Sequence, residues 1–121
     1  MFGITGFIKT ITDIPADHEI ALDTLIIKRT LQKGEDFISE GSYPKSIGFV
    51  LSGLFRYYYI DRKGEEFTKG FFPENTVLSS YSAIIENRPS YFTIQALEES
   101  EIEVFDYHKL NEKFGKEVWY K

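Results

Sequence analysis

Few residues in this chain are of a kind that does chemistry, and their spacing excludes more than it assigns. The two histidines, His18 and His108, lie far apart, and no cysteine exists to supply a nucleophile, a disulfide or a metal ligand. There is no Gly-x-Ser-x-Gly turn, and the glycines form neither a dinucleotide nor a phosphate-loop fingerprint. The acidic pairs Glu65-Glu66 and Glu98-Glu99 fall at turns, where carboxylates face water rather than a substrate. No catalytic constellation, metal site or cofactor is implied, and the chain reads as a non-enzyme. What remains is recognition chemistry, carried by hydroxyls and rings. They concentrate in Tyr57-Tyr58-Tyr59 and in PENTVLSSYSAIIENRPS, residues 73–90, which holds Ser79, Ser80, Ser82, Arg88 and Ser90 and runs into Tyr91. A buried phenol needs a hydrogen-bond partner, so inward tyrosines imply either backbone partners in a filled core or a wetted cavity.

That stretch sits between segments patterned as strands. LIIKRTL, DFISEG and IGFVLSG are short Ile-, Phe- and Val-rich runs, separated by Lys33-Gly34 and by Gly41 to Ser46, where Pro44 discourages a helix. GLFRYYYI and EEFTKGFF flank Asp61-Arg62-Lys63-Gly64, a hairpin signal in which Asp bonds its own backbone and Gly accepts positive φ. YFTIQALEES and EIEVFD follow the insert, with Glu98-Glu99-Ser100 as their turn. At the N-terminus Ile4, Phe7, Ile8 and Ile11 have helical spacing up to a break at Pro15, and Asp17 is placed to cap a short second helix. At the other end Asp106 is placed as an N-cap, with Leu110, Phe114 and Val118 along one helical face. Many short strands, with helices confined to the ends and one insert, predict a mainly-β fold: an antiparallel double-stranded β-barrel, or jelly roll.

A four-residue hairpin loop would make Ile60 face Glu65, so that Tyr57 opposes Thr68, Phe55 opposes Gly70 and Arg56 opposes Lys69. Alternation then turns Phe55, Tyr57, Tyr59, Thr68, Gly70 and Phe72 inward, and Arg56, Tyr58, Phe67, Lys69 and Phe71 outward. Two like charges opposite each other belong in water, which fixes the inner face. Gly70 opposite a ring leaves room there for a neighbouring side chain or for a ligand, so Tyr57 and Gly70 join the serines, Arg88 and Tyr91 as candidate ligand-binding residues.

Composition bounds the partners. A chain of 121 residues is read as one domain, 1–121, and a net charge of −5 with scattered basic residues argues against a nucleic-acid surface on it. No apolar run approaches the roughly 18 residues that span a bilayer, and MFGITGFIKT lacks the features of a signal peptide. A cytoplasmic location with no membrane partner is expected.

The order of these segments resembles a known family. A helix, then KGEDFISEG, SIGFVLSGLFRYYYIDRKGEE and FFPENTVLSSYSAIIENRPSYFTIQALEESEIEVF, then a final helix, is similar to the N-terminal sensor domain of Crp/Fnr-type transcriptional regulators, with its cyclic-nucleotide-binding-domain fold. The likeness covers nearly the whole chain. Its most specific parts are the strand end at Val50 to Gly53 with the following hairpin, and Ala96-Leu97-Glu98. In that family the insert is a phosphate cradle: a Gly-Glu pair opens a short helix whose N–H groups, with an Arg further on, hold the cyclic phosphate, while the Glu takes a ribose hydroxyl. Laying the strand that begins at Tyr91 onto this pattern brings Ser79-Ser80 onto the Gly-Glu positions and Ser90-Tyr91 onto the Arg-Ser positions. Both charged ligands are gone, and Arg88 lies two residues before the family's Arg.

The resemblance therefore implies an effector-sensing domain that binds a small molecule other than cAMP. Helix N-terminal N–H groups with Ser79, Ser80, Ser82 and Ser90 would hold a neutral or weakly anionic ligand, or these serines would be helix caps around a vestigial site. In the family the helix after the barrel lengthens into a dimer coiled coil and leads to a helix-turn-helix. The chain stops at Lys121, about where that helix would get under way, so DNA contact is expected only through a helix-turn-helix domain absent from these residues, and a homodimer only of the full-length protein. Ligand at the insert would shift the packing of the C-terminal helix, through Phe114, Val118 and Trp119. Two other classes stand beside this one: a metal-free barrel enzyme using Tyr57, Tyr59 and the serines, and a ligand-free interaction module.

Overall fold

The computed structural model describes residues 3–117, so Val118 and Trp119 lie outside the described residues. The chain opens with helices α1 (Ile4–Lys9) and α2 (Ala16–Leu25). Strands β1 (Ile27–Leu31), β2 (Asp36–Ile38), β3 (Ser46–Ser52), β4 (Phe55–Ile60), β5 (Glu66–Phe72) and β6 (Val77–Leu78) follow. Helix α3 (Tyr81–Glu86), strands β7 (Thr93–Ala96) and β8 (Ser100–Asp106), and helix α4 (Tyr107–Phe114) complete it. The strands form two antiparallel four-stranded sheets, in the orders β1-β8-β3-β6 and β2-β7-β4-β5. The mainly-β jelly-roll expectation holds, with one refinement: among the described residues no ladder joins the two sheets into a closed barrel.

β3 shows how the layers stack. Its sequence SIGFVLS lacks clean alternation because both faces are covered. Val50 turns between the sheets and packs with Leu31, Ile38, Phe55, Leu78, Ile94, Ala96 and Ile102. Ile47 and Phe49 turn the other way, onto a second cluster with Ile4, Leu22, Ile84, Phe105, Leu110 and Phe114. The helices thus bury the outer face of the first sheet, each fully buried aliphatic or aromatic side chain contributing about 1.5–3 kcal/mol. α3, the helix of the insert, and α4 share this second cluster through Ile84, Leu110 and Phe114.

The terminal helices depart from expectation in length and caps: α1 ends at Lys9, which leaves Ile11 beyond the helix and exposed. Asp106 does cap α4, accepting from Lys109 N at 3.1 Å. Asp17 does not cap α2, because the helix starts at Ala16 with Pro15 at the N-cap position; Asp17 sits inside the first turn. His18 is half-buried, its ring 5.7 Å from that of Phe114.

The hairpin keeps its predicted turn chemistry but not its register. Asp61 Oδ1 accepts from Lys63 N and Glu65 N, each at 2.9 Å, and Gly64 takes φ 85°. Glu65 belongs to the loop as well, so Ile60 pairs with Glu66 rather than Glu65. This slip of one residue turns the first half of β5 over. Thr68, expected inside, lies outside and accepts from Arg56 Nη1, and Phe67, expected outside, stacks on Tyr59 at 5.3 Å. A bulge at Lys69 then resets the strand, so Tyr57 opposes Gly70 and Phe55 opposes Phe72. Gly70 and Phe72 therefore do face inward with Phe55 and Tyr57, but Arg56 opposes Phe71, not Lys69. The Arg56 guanidinium lies 4.0 Å over the Tyr58 ring and bonds Gln95, Thr68 and Glu66, covering Tyr58 from solvent.

Candidate ligand-binding site

The insert from Pro73 to Ser90 contains β6, α3 and the return to β7. β6 is two residues long, too short for any periodic signal, and its pairing with Gly48 and Phe49 of β3 ties the insert to the first sheet. α3 ends at Asn87, in the left-handed conformation at φ 52°, which Asn tolerates better than most residues. Arg88 N then donates back to Ala83 O at 3.0 Å. This reversal places the Arg88 side chain beside the serines that precede the helix.

The two halves of the expected cradle do meet. Ser80 and Ser90, both buried, have their Oγ atoms 3.0 Å apart. Ser90 Oγ also donates to Phe92 O at 2.7 Å, and since a hydroxyl has one proton, Ser80 must be the donor to Ser90. A neutral, self-satisfied pair thus stands where the resemblance puts Glu and Arg. Ser80 occupies the N-cap position of α3 but makes no capping hydrogen bond, which removes the helix-cap reading for it. α3 has only six residues, so its own N–H groups make a weak anion site.

Ser79, Ser80, Ser82 and Arg88 line one pocket of about 300 Å³ together with Tyr81, Tyr91 and Phe92. Among the described residues, Ser79 Oγ is the buried side-chain oxygen or nitrogen left without a hydrogen-bond partner. Arg88 Nε donates to Glu86 Oε2 at 3.2 Å and Nη1 to Pro89 O at 3.2 Å, while its guanidinium lies 4.0 Å over the Tyr91 ring. A second, larger pocket of about 480 Å³ adjoins it at Tyr91 and Phe92. Its other walls are Glu40, Gly41, Tyr57, Tyr59, Ile60, Lys69, Pro89 and Ser90.

The expected residues are therefore divided. Tyr57, Ser90 and Tyr91 line the larger pocket; Ser79, Ser80, Ser82, Arg88 and Tyr91 line the smaller. Gly70 lines neither, because the Tyr57 ring lies against it: an added Cβ would come 2.6 Å from Tyr57 Cε1. The glycine makes room for Tyr57 rather than for a ligand. Sequence reasoning missed Glu40, Lys69 and Phe92. Lys69 reaches the pocket only because of the bulge, but Phe92, an aromatic beside the strand that closes the insert, was readable.

Tyr81 stands at the far side of α3. A hydrogen bond with Tyr107, helped by burial and by the neighbouring phenol's charge, raises its pKa above the ordinary value. The two rings meet edge to face at 5.7 Å. Beside them a third hollow, of about 400 Å³, runs between Ile47, Phe105, Leu110 and Gly115. Among the described residues no group of three or more His, Asp or Glu is placed to hold a metal, and no helix is long and apolar enough to cross a membrane.

Two antiparallel sheets enclosing a core, with a helical insert beside a pocket, define a jelly-roll fold. The chain belongs to the cyclic nucleotide-binding domain family, which matches residues 28–117. Solved structures agree in fold. The N-terminal domain of a transcriptional regulator from Streptomyces coelicolor A3(2) is 15% identical, with a TM-score of 0.73 over 90% of this chain and 74% of that one. The catabolite activator protein of Thermus thermophilus is 17% identical, with a TM-score of 0.70 over 84% of this chain and 48% of its own. The c-di-GMP responsive global regulator CLP of Xanthomonas campestris is 15% identical, with a TM-score of 0.71 over 86% and 50%. This chain thus spans about half the length of the latter two proteins. A comparison with curated protein sequences gave no match.

Proposed function

We propose that this domain is the effector sensor of a Crp/Fnr-type regulator and that its effector is a small molecule other than cAMP. The observation that carries this reading is the buried Ser80–Ser90 hydrogen bond beside two open pockets. The pockets provide room for a ligand, whereas the two positions that hold the phosphate and the ribose of a cyclic nucleotide in the family carry a neutral pair. Without a charge-assisted hydrogen bond at each of those positions, affinity for a cyclic nucleotide falls by about 1.5–3 kcal/mol apiece. Tyr57, Ser79, Ser82, Arg88, Ser90 and Tyr91 are the residues proposed to meet the effector; Gly70 supports Tyr57 from behind.

The signal would leave through α3. Its outer side carries Tyr81, whose ring meets that of Tyr107 at the start of α4 edge to face, and its buried side carries Ile84, packed with Leu110 and Phe114 of α4. A ligand that moves α3 therefore has a path of direct contacts to α4, and in the full-length protein, read as a cytoplasmic homodimer, to a DNA-binding domain. Amide-resolved NMR titration tests this. Effector binding should shift resonances at Ser79, Arg88 and Tyr91 and, with the same midpoint, at Tyr107, Leu110 and Phe114. Shifts confined to the pocket would refute the relay.

A further inference from the structure

We infer that the paired pockets take an amphipathic monocarboxylate, with a flat apolar body between the rings of the larger pocket and one carboxylate at Arg88 and Ser79 of the smaller. This deepens, and rests on, the reading of the site as a small-molecule sensor.

Three observations converge. The larger pocket is walled by Tyr57, Tyr59, Tyr91 and Phe92, surfaces suited to an apolar or aromatic body. Its charged groups, Glu40 and Lys69, cancel, and Glu40 Oε1 already accepts from Ile60 N at 3.3 Å, so that end does not select a charged head. The smaller pocket has one cation, Arg88, and a buried hydroxyl, Ser79 Oγ, that lacks a partner. A planar carboxylate matches the guanidinium fork and can accept from the hydroxyl with its second oxygen. Among the described residues Arg88 Nη2 makes no hydrogen bond, which leaves a donor for the incoming oxygen.

Glu86 is the built-in competitor. Its carboxylate holds Arg88 Nε, yet its side chain is 60% exposed against 25% for Arg88, so it can be released to water at little cost. The ligand's carboxylate replaces it at a better enclosed position.

The test uses 4-phenylbutyrate and its neutral isostere 4-phenylbutyramide as probes, with cAMP as a third, titrated by amide-resolved NMR into the wild type and Arg88→Gln, Glu86→Gln and Ser79→Ala variants. The acid should bind about tenfold tighter than the amide, as one charge-assisted hydrogen-bond set predicts. Arg88→Gln should bring that ratio close to one, Ser79→Ala should weaken the acid by about fivefold, and Glu86→Gln should tighten it by up to about fivefold. Equal affinities for acid and amide, both mapping to Tyr57, Tyr91 and Phe92, would overturn the carboxylate assignment and leave the sensor reading standing. So would unchanged selectivity in Arg88→Gln. Tighter binding of cAMP than of the acid would overturn both, as would the absence of shifts at the pocket with every probe.

Discussion

Removing the Ser90 hydroxyl isolates the feature on which the site depends. Ser90 is 1% exposed and Ser80 4%, so neither hydroxyl can turn to water once its partner is gone. Ser90→Ala takes the acceptor from Ser80 Oγ and the donor from Phe92 O, at 3.0 and 2.7 Å. The backbone bonds Ser90 N to Ser42 O and Gly41 N to Ser90 O survive the change, so the insert stays tethered. A lost hydrogen bond costs about 0.5–1.5 kcal/mol net, and a stranded buried donor adds about 1–3. The expected loss is therefore about 2–4 kcal/mol, a fall of roughly 1–2 M in the urea midpoint at an m-value typical of small domains. Ser80→Ala alone removes one bond and strands nothing new, at about 1 kcal/mol. The double variant should then be no less stable than Ser90→Ala alone, a coupling of about 1 kcal/mol or more in the cycle. Strictly additive effects, or a Ser90→Ala loss below about 0.5 kcal/mol, would show that the two hydroxyls do not form a dry pair.

Other consequences follow from the same geometry. Gly53 lies at φ 107° with a Cβ position 2.8 Å from the Ser100 backbone Cα, so Gly53→Ala should cost more than about 3 kcal/mol in denaturant titration. Asp106→Ala removes the α4 cap to Lys109 N and should lower stability by about 1 kcal/mol, with Asp106→Asn close to wild type. Because the folded-state pKa of Tyr81 is raised, the stabilisation linked to its protonation is intact below its ordinary value of 10.0 and lost as pH climbs through the folded-state pKa. Difference absorbance between wild type and Tyr81→Phe should place the Tyr81 titration above that of a free phenol.

The sequence carried the longer strands and the element order well, because Ile-, Phe- and Val-rich runs between Gly and Pro are local signals. The hairpin turn was equally legible: Asp61 and Gly64 act as their types require. Register was not, since a loop one residue longer and a bulge at Lys69 leave no mark on composition. β6 escaped because two residues carry no period, and its existence depends on β3 lying beside it. At the site, the contact between Ser80 and Ser90 left no sign in sequence spacing, since ten residues and a helix separate them. Arg88 lines the smaller pocket because Asn87 adopts a left-handed conformation and turns the chain back. Gly70 fell on the right strand face, and of the two uses open to its space, a neighbouring side chain or a ligand, the Tyr57 ring takes it.

Calorimetric titration of the domain with cAMP bears most directly on the central claim, that a neutral serine pair has replaced the two charged groups that hold the ribose and the phosphate of a cyclic nucleotide. With two charge-assisted hydrogen bonds missing, affinity falls by roughly two to four powers of ten, and no saturable heat is expected up to about 1 mM nucleotide. One-to-one binding of cAMP with a Kd below about 10 μM, undiminished in Arg88→Gln, would contradict it.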